Sequence, residues 1–360
     1  MKVLCLNRGS SSLKAALIEV RAGGLTCLER REIVAPKSGA HDDTLAAALK
    51  GIPVPHAIGH RLVHGGPDQT APLRLVADAR RRLDSAIPFA PLHLPMELET
   101  VDAALALFPG VPQVACFDTA FHSTLPAVAR RLPLAAWADA EGVRSYGFHG
   151  LSCEYVVSRL GGSTLGDSII AHLGSGASMT AVRGGRSIDT TMGMSPTGGL
   201  MMGTRSGDLD PGVLVYLIDQ KGWSARDVEQ FVNHECGLLG VSGTASDMKA
   251  LLRARDHDER ARLAVELFVY VARKEIGALA AALGGLRSLV FTGGMGEHSA
   301  VVRSEIAAGL DFLGVSLDED RNGTGAAIVS REGSPCTVFV VVTDEESVIA
   351  RHVEASVSPG

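Results

Sequence analysis

Arg205 stands in the run Met201-Met202-Gly203-Thr204-Arg205-Ser206-Gly207-Asp208, flanked by glycines and small hydroxyl residues and followed by an acid. Glycines let a backbone approach an anion closely, and one guanidinium can clamp it. The loop leads into a helix expected to begin near Asp210-Pro211. A second arginine, Arg61, interrupts the apolar run Ala57 to Val63 and precedes His64-Gly65-Gly66. Arg61 and Arg205 together could hold a doubly charged oxyanion bidentately. Asp118 comes at the end of the buried-type strand Val111 to Phe117, within Cys116-Phe117-Asp118-Thr119-Ala120-Phe121-His122. Open α/β sheets place their sites at such strand termini, although an aspartate before Thr119 can equally cap a helical turn. His149 lies between glycines in Tyr146-Gly147-Phe148-His149-Gly150. Its imidazole either donates to a transferring group or holds a turn.

Three further segments could cradle phosphate. Asn7-Arg8-Gly9-Ser10-Ser11-Ser12, with Lys14 beyond, offers backbone N–H groups, three hydroxyls and a cation at one strand turn. It lacks the glycine spacing and terminal Gly-Lys-Ser/Thr of a Walker A loop, and a Ser-rich hairpin is the other reading. Gly174-Ser175-Gly176-Ala177-Ser178 is a second cradle or a plain tight turn, with His172 just before it. Phe291-Thr292-Gly293-Gly294-Met295-Gly296-Glu297-His298 reads as a strand and a glycine-rich turn entering a helix, suited to a nucleoside and its phosphates. It does not fit the Rossmann fingerprint, which needs an early βαβ context.

The elements that must position these residues alternate. Lys2 to Asn7, Leu13 to Val20, Leu25 to Val34 and Ala57 to Val63 read as strands, and Pro95 to Leu107 has helical spacing. A second block repeats the plan: Ser168 to Leu173 is a strand, a Gly/Ser turn follows, and Met179 to Val182 returns, with Gly184-Gly185 as a hairpin signal. Leu263 to Leu283 is a long helical pattern, Leu289 to Thr292 and Thr337 to Val342 are strands, and Ser347 to Val353 forms a closing helix. Strands mixed with helices place the chain in the α/β class. At 360 residues two domains are expected. The net charge of −6 argues against a nucleic-acid partner. The most apolar long stretch, Ala264 to Leu286, is interrupted by Arg273-Lys274-Glu275, so no membrane span is expected, and Met1 to Leu6 is too short for a signal peptide. Six scattered cysteines without a Cys-x-x-Cys pair read as reduced thiols in a cytoplasmic protein.

These clusters, in this order, closely resemble the acetate kinase family of short-chain carboxylate kinases. The likeness is carried by Asn7 to Lys14, His60 to Gly66, Pro91-Leu92-His93, Phe117 to His122, Tyr146 to Gly150, His172 to Ser178, Asp189 to Asp210, Phe291 to Ser299 and Thr343 to Glu346. The resemblance implies two related ribonuclease-H-like domains around a nucleotide cleft, the superfold of acetate and sugar kinases, actin and the heat-shock ATPases. It divides the chain into residues 1–119 plus 348–360, an N-terminal domain with a closing helix, and residues 120–347, a C-terminal nucleotide-binding and dimerisation domain. It implies a homodimer that moves a phosphoryl group reversibly between ATP and acetate with Mg²⁺. Residue by residue, Arg61 and Arg205 match the pair that grips carboxylate and phosphoryl. His149 matches the transition-state stabiliser and Asp118 the essential acid. His93 and His172 match site-lining positions. Val63, Leu92, Phe148 and Pro196 match the pocket for the substrate methyl, and Asn7 and Glu345 match positions associated with Mg²⁺ and phosphate. Asp247-Met248-Lys249 and the run Gly294 to Glu297, including Gly296, fall where the family binds adenosine, and Lys14, Gly174, Ser175 and Gly176 lie at the phosphate turns. Arg8, Ser175, Lys249 and His298 depart from the family's usual residues.

The chemistry is coherent in itself. A carboxylate with an ordinary pKa of about 4 is already ionised at neutral pH and needs no general base. It needs relief of repulsion from an anionic γ-phosphate, which two arginines, an imidazole donor and Mg²⁺ provide by positioning and electrostatics. Asp118 is therefore expected to orient groups or organise the metal rather than abstract a proton. Propionate kinase, a pyrophosphate-dependent carboxylate kinase, and a non-catalytic nucleotide-binding regulator on the same superfold are the alternatives.

Overall fold

A computed structural model describes residues 1–9, 12–34, 45–47 and 49–358. Ser10 and Ser11 of the first candidate cradle lie outside the described residues. The chain divides into two compact units. The first comprises Met1–Ser123, Phe148–Tyr155 and Asp344–Gly360, and the second Thr124–Gly147 and Val156–Thr343.

The first unit is built on a sheet of β1 (Lys2–Arg8), β2 (Ser12–Arg21), β3 (Gly24–Val34), β4 (Ala57–Leu62), β5 (Leu73–Arg74) and β6 (Gln113–Phe117), ordered β3-β2-β1-β4-β6-β5. The hairpin strands β1, β2 and β3 pair antiparallel, while β4 joins β1, and β6 joins β4, in parallel. Alternate side chains of a strand face opposite sides, so each face builds its own core. Val3, Cys5, Ala16, Ile18 and Cys116 pack under Val348, Ile349 and Val353 of the closing helix Glu345–Val357. Leu4, Leu6, Leu13, Leu17 and Ile58 pack with Ala103 and Ala104 of the helix Leu94–Leu107. The closing helix sits so near β4 that a Cβ at Gly59 would lie 2.3 Å from Ile349 Cγ2.

The second unit repeats this topology with β7 (Ser168–Leu173), β8 (Ala177–Arg183), β9 (Arg186–Thr190), β10 (Ser288–Thr292) and β11 (Thr337–Val340), ordered β11-β10-β7-β8-β9. Here too the first three strands are an antiparallel meander and the last two add in parallel. The predicted turn at Gly184-Gly185 joins β8 and β9, with both glycines at positive φ as a two-residue hairpin requires. The helix Glu259–Leu283, capped by Asp258 and ended by left-handed Gly284, buries Ala264, Val265, Phe268, Ala272, Ile276 and Leu279. Among the described residues no helix is long and apolar enough to cross a membrane. All six cysteines are free thiols, and Cys5, Cys116, Cys153 and Cys336 are buried.

Candidate active site

The parallel strands β4 and β6 deliver Arg61 and Asp118 to one end of the first sheet. Asp118 continues the pairing past β6, its N–H donating to the Leu62 carbonyl at 3.0 Å. Arg61 Nε and Nη2 donate to Asp118 Oδ2 at 3.1 and 2.5 Å, and Nη1 donates to Glu97 Oε1 at 3.1 Å. Arg61 is thus no surface arginine: its side chain is 15% exposed, and those of Glu97 and Asp118 are 2% exposed. Burial alone would depress the Arg61 pKa, but Asp118, Glu97 and Glu345 more than offset it and keep the guanidinium charged. Asp118 does not act as a helix cap. Its Oδ2 is held by Arg61, and its buried Oδ1 has no hydrogen-bond partner among the described residues.

Asn7 closes the same end from β1, its Nδ2 donating to Glu345 Oε2 at 3.1 Å. Glu345 opens the closing helix, whose N-cap is Asp344. Lys14 sits opposite Asn7 on β2 with an exposed side chain. Burial, then the nearby Asp118, pushes Glu345 up to about 7. Burial likewise lifts Glu97 to about 7, against the opposing pull of Arg61 and the Val63 N–H. Three carboxylates around one buried guanidinium leave the cluster short of positive charge. Oxygen donors, an orphaned carboxylate oxygen and excess negative charge fit a hard divalent cation. No three His, Cys, Asp or Glu side chains form a metal cage among the described residues.

His149 is the only described non-glycine residue at positive φ, 56°. A left-handed conformation costs a side-chain-bearing residue about 1–3 kcal/mol and persists only where the surroundings impose it. They do so here. The next residue, Gly150, donates its N–H to the Asp118 carbonyl at 3.0 Å, and the His149 carbonyl accepts from the Cys153 N–H at 3.0 Å. His122 Nε2 donates to the Phe148 carbonyl at 2.9 Å. Phe148 and Val63 are buried, Leu92 and His93 half-buried. His64 stacks on Phe89 at 5.3 Å and meets Phe148 edge-on at 5.7 Å.

In the second unit the Arg205 loop is held from several sides. Met202 N–H donates to the Arg205 carbonyl, Cys236 N–H to Thr204, Leu238 N–H to Met202 and Asp208 N–H to Gly199, all within 3.1 Å. Gly237 permits this packing, since a Cβ there would lie 2.2 Å from the Met202 oxygen. Arg205 Nη1 donates to the Pro196 carbonyl at 3.1 Å, which brings two predicted site residues together. Asp210 caps the helix Pro211–Lys221, as its sequence position predicts. The turn after β7 is tight, with Gly174 N–H donating to the Gly176 carbonyl at 3.0 Å. A Cβ at Gly174 would approach His172 Nε2 to 3.7 Å, and one at Gly203 would lie 3.7 Å from the Ser175 carbonyl and 3.1 Å from that of Ser246. The Arg205 loop, the turn after β7 and the segment before Asp247 therefore adjoin.

Two predicted nucleotide residues have structural duties. Asp247 caps the helix Met248–Ala254 through the Ala250 N–H, leaving Met248 buried and Lys249 exposed. Glu297 Oε1 accepts from the N–H groups of Gly293 and Thr343 at 2.9 and 3.1 Å. Gly294 is exposed and Gly296 buried in the short helix Gly293–His298. Two residues escaped the sequence reading. Glu97 joins Arg61, and buried Arg303 donates from Nη1 to the carbonyls of Gly296 and Glu297 at 2.9 Å, pinning the glycine-rich turn. An acid four residues past Pro91-Leu92-His93, and an arginine one turn before buried Ile306 and Ala307, are the signals that could have found them.

The chain is similar to known proteins along nearly its whole length. The family model described as the acetokinase family matches residues 44–351. A protein of Rhodopseudomonas palustris named acetate kinase is 42% identical over 98% of this chain and 97% of its own length. The crystal structure of Porphyromonas gingivalis acetate kinase superposes with a TM-score of 0.87 at 36% identity, covering 99% of this chain and 100% of that one. That of a propionate kinase from Francisella tularensis gives 0.88 at 33% identity, covering 98% and 99%.

Proposed function

This chain belongs to the acetokinase family, and we propose that it is an acetate kinase. It transfers the γ-phosphoryl group of ATP reversibly to acetate, giving acetyl phosphate and ADP. The observation that carries the reading is the likeness, along nearly the whole chain, to proteins named acetate kinase. Propionate is the second reading, favoured by the likeness to a propionate kinase. One methylene in an apolar pocket is worth only about 1–3 kcal/mol.

In this reading Arg61 and Arg205 receive the acceptor carboxylate and the transferring phosphoryl group. Their charges offset the repulsion between two anions, which is the main barrier to the encounter. His149 donates to an oxygen of the transferring group from its fixed left-handed backbone. Asp118 orients Arg61 through two N–H donors to one oxygen. Val63, Leu92, Phe148 and Pro196 take the methyl group. Lys14, His172, Gly174, Ser175 and Gly176 receive phosphates, and Asp247, Met248, Lys249, Gly294, Gly296 and Glu297 frame the adenosine, the last through the turn it braces. Asn7 and Glu345 would hold Mg²⁺, which when bound neutralises phosphate oxygens and orders them for transfer. We assign the protein to the cytoplasm and to a homodimer. Val213, Val215, Tyr216 and Ile218 on the helix Pro211–Lys221, with Leu263 and Tyr270 on the helix Glu259–Leu283, expose apolar surface that a second copy would cover.

The test is trapping of acyl phosphate as the hydroxamate, with acetate, propionate and butyrate as acceptors and ATP or pyrophosphate as donor. Acetate with ATP and Mg²⁺ should give the highest kcat/KM. A higher value with propionate would establish the second reading, and no product from any pair would refute both.

A further inference from the structure

We propose that Glu97 is a positioning residue of the transfer reaction: its buried carboxylate ties Arg61 to the backbone of Val63 at the end of β4. It thereby sets the charged and apolar sides of the acceptor pocket against each other. The proposal rests on the carboxylate-kinase reading and deepens it.

Glu97 lies in the first turn of the helix Leu94–Leu107. An acid there ordinarily faces water and complements the helix dipole. This one is 2% exposed and divides its two oxygens between two tasks. Oε1 accepts from Arg61 Nη1 at 3.1 Å, and Oε2 accepts from the Val63 N–H at 2.8 Å. A buried charge is costly unless it is paired and hydrogen-bonded, and Glu97 meets both conditions through residues at the head of the acceptor pocket. Asp118 Oδ2 fixes Nε and Nη2 of the same guanidinium. A guanidinium has five N–H donors. Three are committed, and the remaining two lie one on each terminal nitrogen. Glu97 and Asp118 therefore settle which donors are left for substrate. Because Val63 is tied to the same carboxylate, the apolar wall cannot shift without moving the guanidinium. The cost of keeping this acid buried is visible in its pKa, which burial raises to about 7.

Glutamine at this position has one acceptor oxygen, so it can serve Arg61 or Val63 but not both. Aspartate keeps two acceptors on a stem one methylene shorter. Hydroxamate kinetics on the full-length wild type, Glu97→Gln and Glu97→Asp, with far-UV circular dichroism confirming the fold, test the proposal. Glu97→Gln should raise the acetate KM at least tenfold while the ATP KM stays within twofold, and Glu97→Asp should recover part of the loss. An unchanged acetate KM in Glu97→Gln, or equal rises in both KM values, would overturn the proposal and leave the kinase reading intact. Absence of acyl phosphate from the wild type would instead remove that reading, and the proposal with it.

Discussion

Replacing Arg61 with alanine should destabilise the first unit in a pH-dependent way. Removing one partner of a buried ion pair costs about 3–5 kcal/mol, because the other charge stays buried and uncompensated. Here two carboxylates, each 2% exposed, lose the same partner. Glu97 has an escape, since burial already lifts it to about 7 and loss of the cation must lift it further. A carboxyl whose folded pKa exceeds its unfolded value of 4.5 favours folding while protonated. That contribution is lost as pH rises through the folded pKa. Wild-type Glu97 passes this point near pH 7 and the variant passes it later, so the gap in stability opens above pH 7. At pH 8 we expect a loss of about 3 kcal/mol or more, and at pH 6 a markedly smaller one. Trp137 and Trp223 both lie in the second unit, so their fluorescence would miss the event. Urea unfolding followed by far-UV circular dichroism, with hydrogen exchange at the amides of β4 and β6, reports it. Adding Glu97→Gln to Arg61→Ala should restore much of the stability at pH 8 without restoring turnover. A loss below about 1 kcal/mol, or one equal at pH 6 and pH 8, would refute the account of this cluster.

Two further outcomes follow from the backbone and histidines of the same unit. Gly150→Ala places a Cβ 2.1 Å from the Asp118 carbonyl oxygen and 2.9 Å from Phe121 Cβ, so the His149 loop must move. We expect a loss of about 1–3 kcal/mol and a turnover at least tenfold lower with the ATP KM retained; wild-type melting and turnover together would contradict this. His122 is held neutral, burial pushing it down to about 4 from 6.5. The stability this group contributes is present above pH 6.5 and lost as pH falls toward 4, by up to about 3 kcal/mol. His122→Gln keeps a donor for the Phe148 carbonyl and cannot titrate, so its stability relative to wild type should improve across that window. A difference independent of pH would show that His122 is not the group responsible.

Strands were legible because apolar runs bounded by glycine and polar residues leave little choice of end. Ser168–Leu173 falls where expected, and β4 stops one residue before the predicted Val63. The second hairpin runs from Ala177 rather than Met179, since small residues beside a tight turn pair as readily as large ones. β5, only Leu73–Arg74, was illegible: it has no periodicity, and only the open edge of β6 makes it a strand. Side-chain duties divide in the same way. Arg61 was legible because a charge in an apolar strand demands a partner. Which partners it has was not, because Glu97 reaches it from 36 residues along the chain, in a helix whose apolar spacing rests on Met96, Leu98, Val101, Ala104 and Leu105 and says nothing of Glu97. Glu297 and Asp247 show the converse. Their places beside nucleotide-type turns were readable, but bracing and capping are decided by which backbone N–H groups the fold leaves without a partner.

The two units use the same strand plan but differ in what stands at some of its strand ends. In open α/β sheets sites form beyond the carboxyl ends of the parallel strands. In the first unit those ends carry side chains: Asn7 on β1, Arg61 on β4 and Asp118 after β6. In the second unit glycine follows two of them, Gly174 after β7 and Gly293 after β10, as Gly9 follows β1 in the first. Gly293 has φ 76°, and a Cβ there would lie 2.9 Å from the Leu173 carbonyl, so the turn can approach the end of β7 only without a side chain. Charged side chains at 2.5–3.1 Å from one another set a defined field and a defined geometry, which suit one reacting group. In the proposed reading Arg61, like Arg205 of the second unit, acts on the reacting groups through its side chain, while the glycine turns after β7 and β10 leave room for phosphates. Exchanging a strand-end glycine for a charged residue in the second unit should accordingly cost nucleotide affinity, whereas neutralising a strand-end charge in the first should cost turnover.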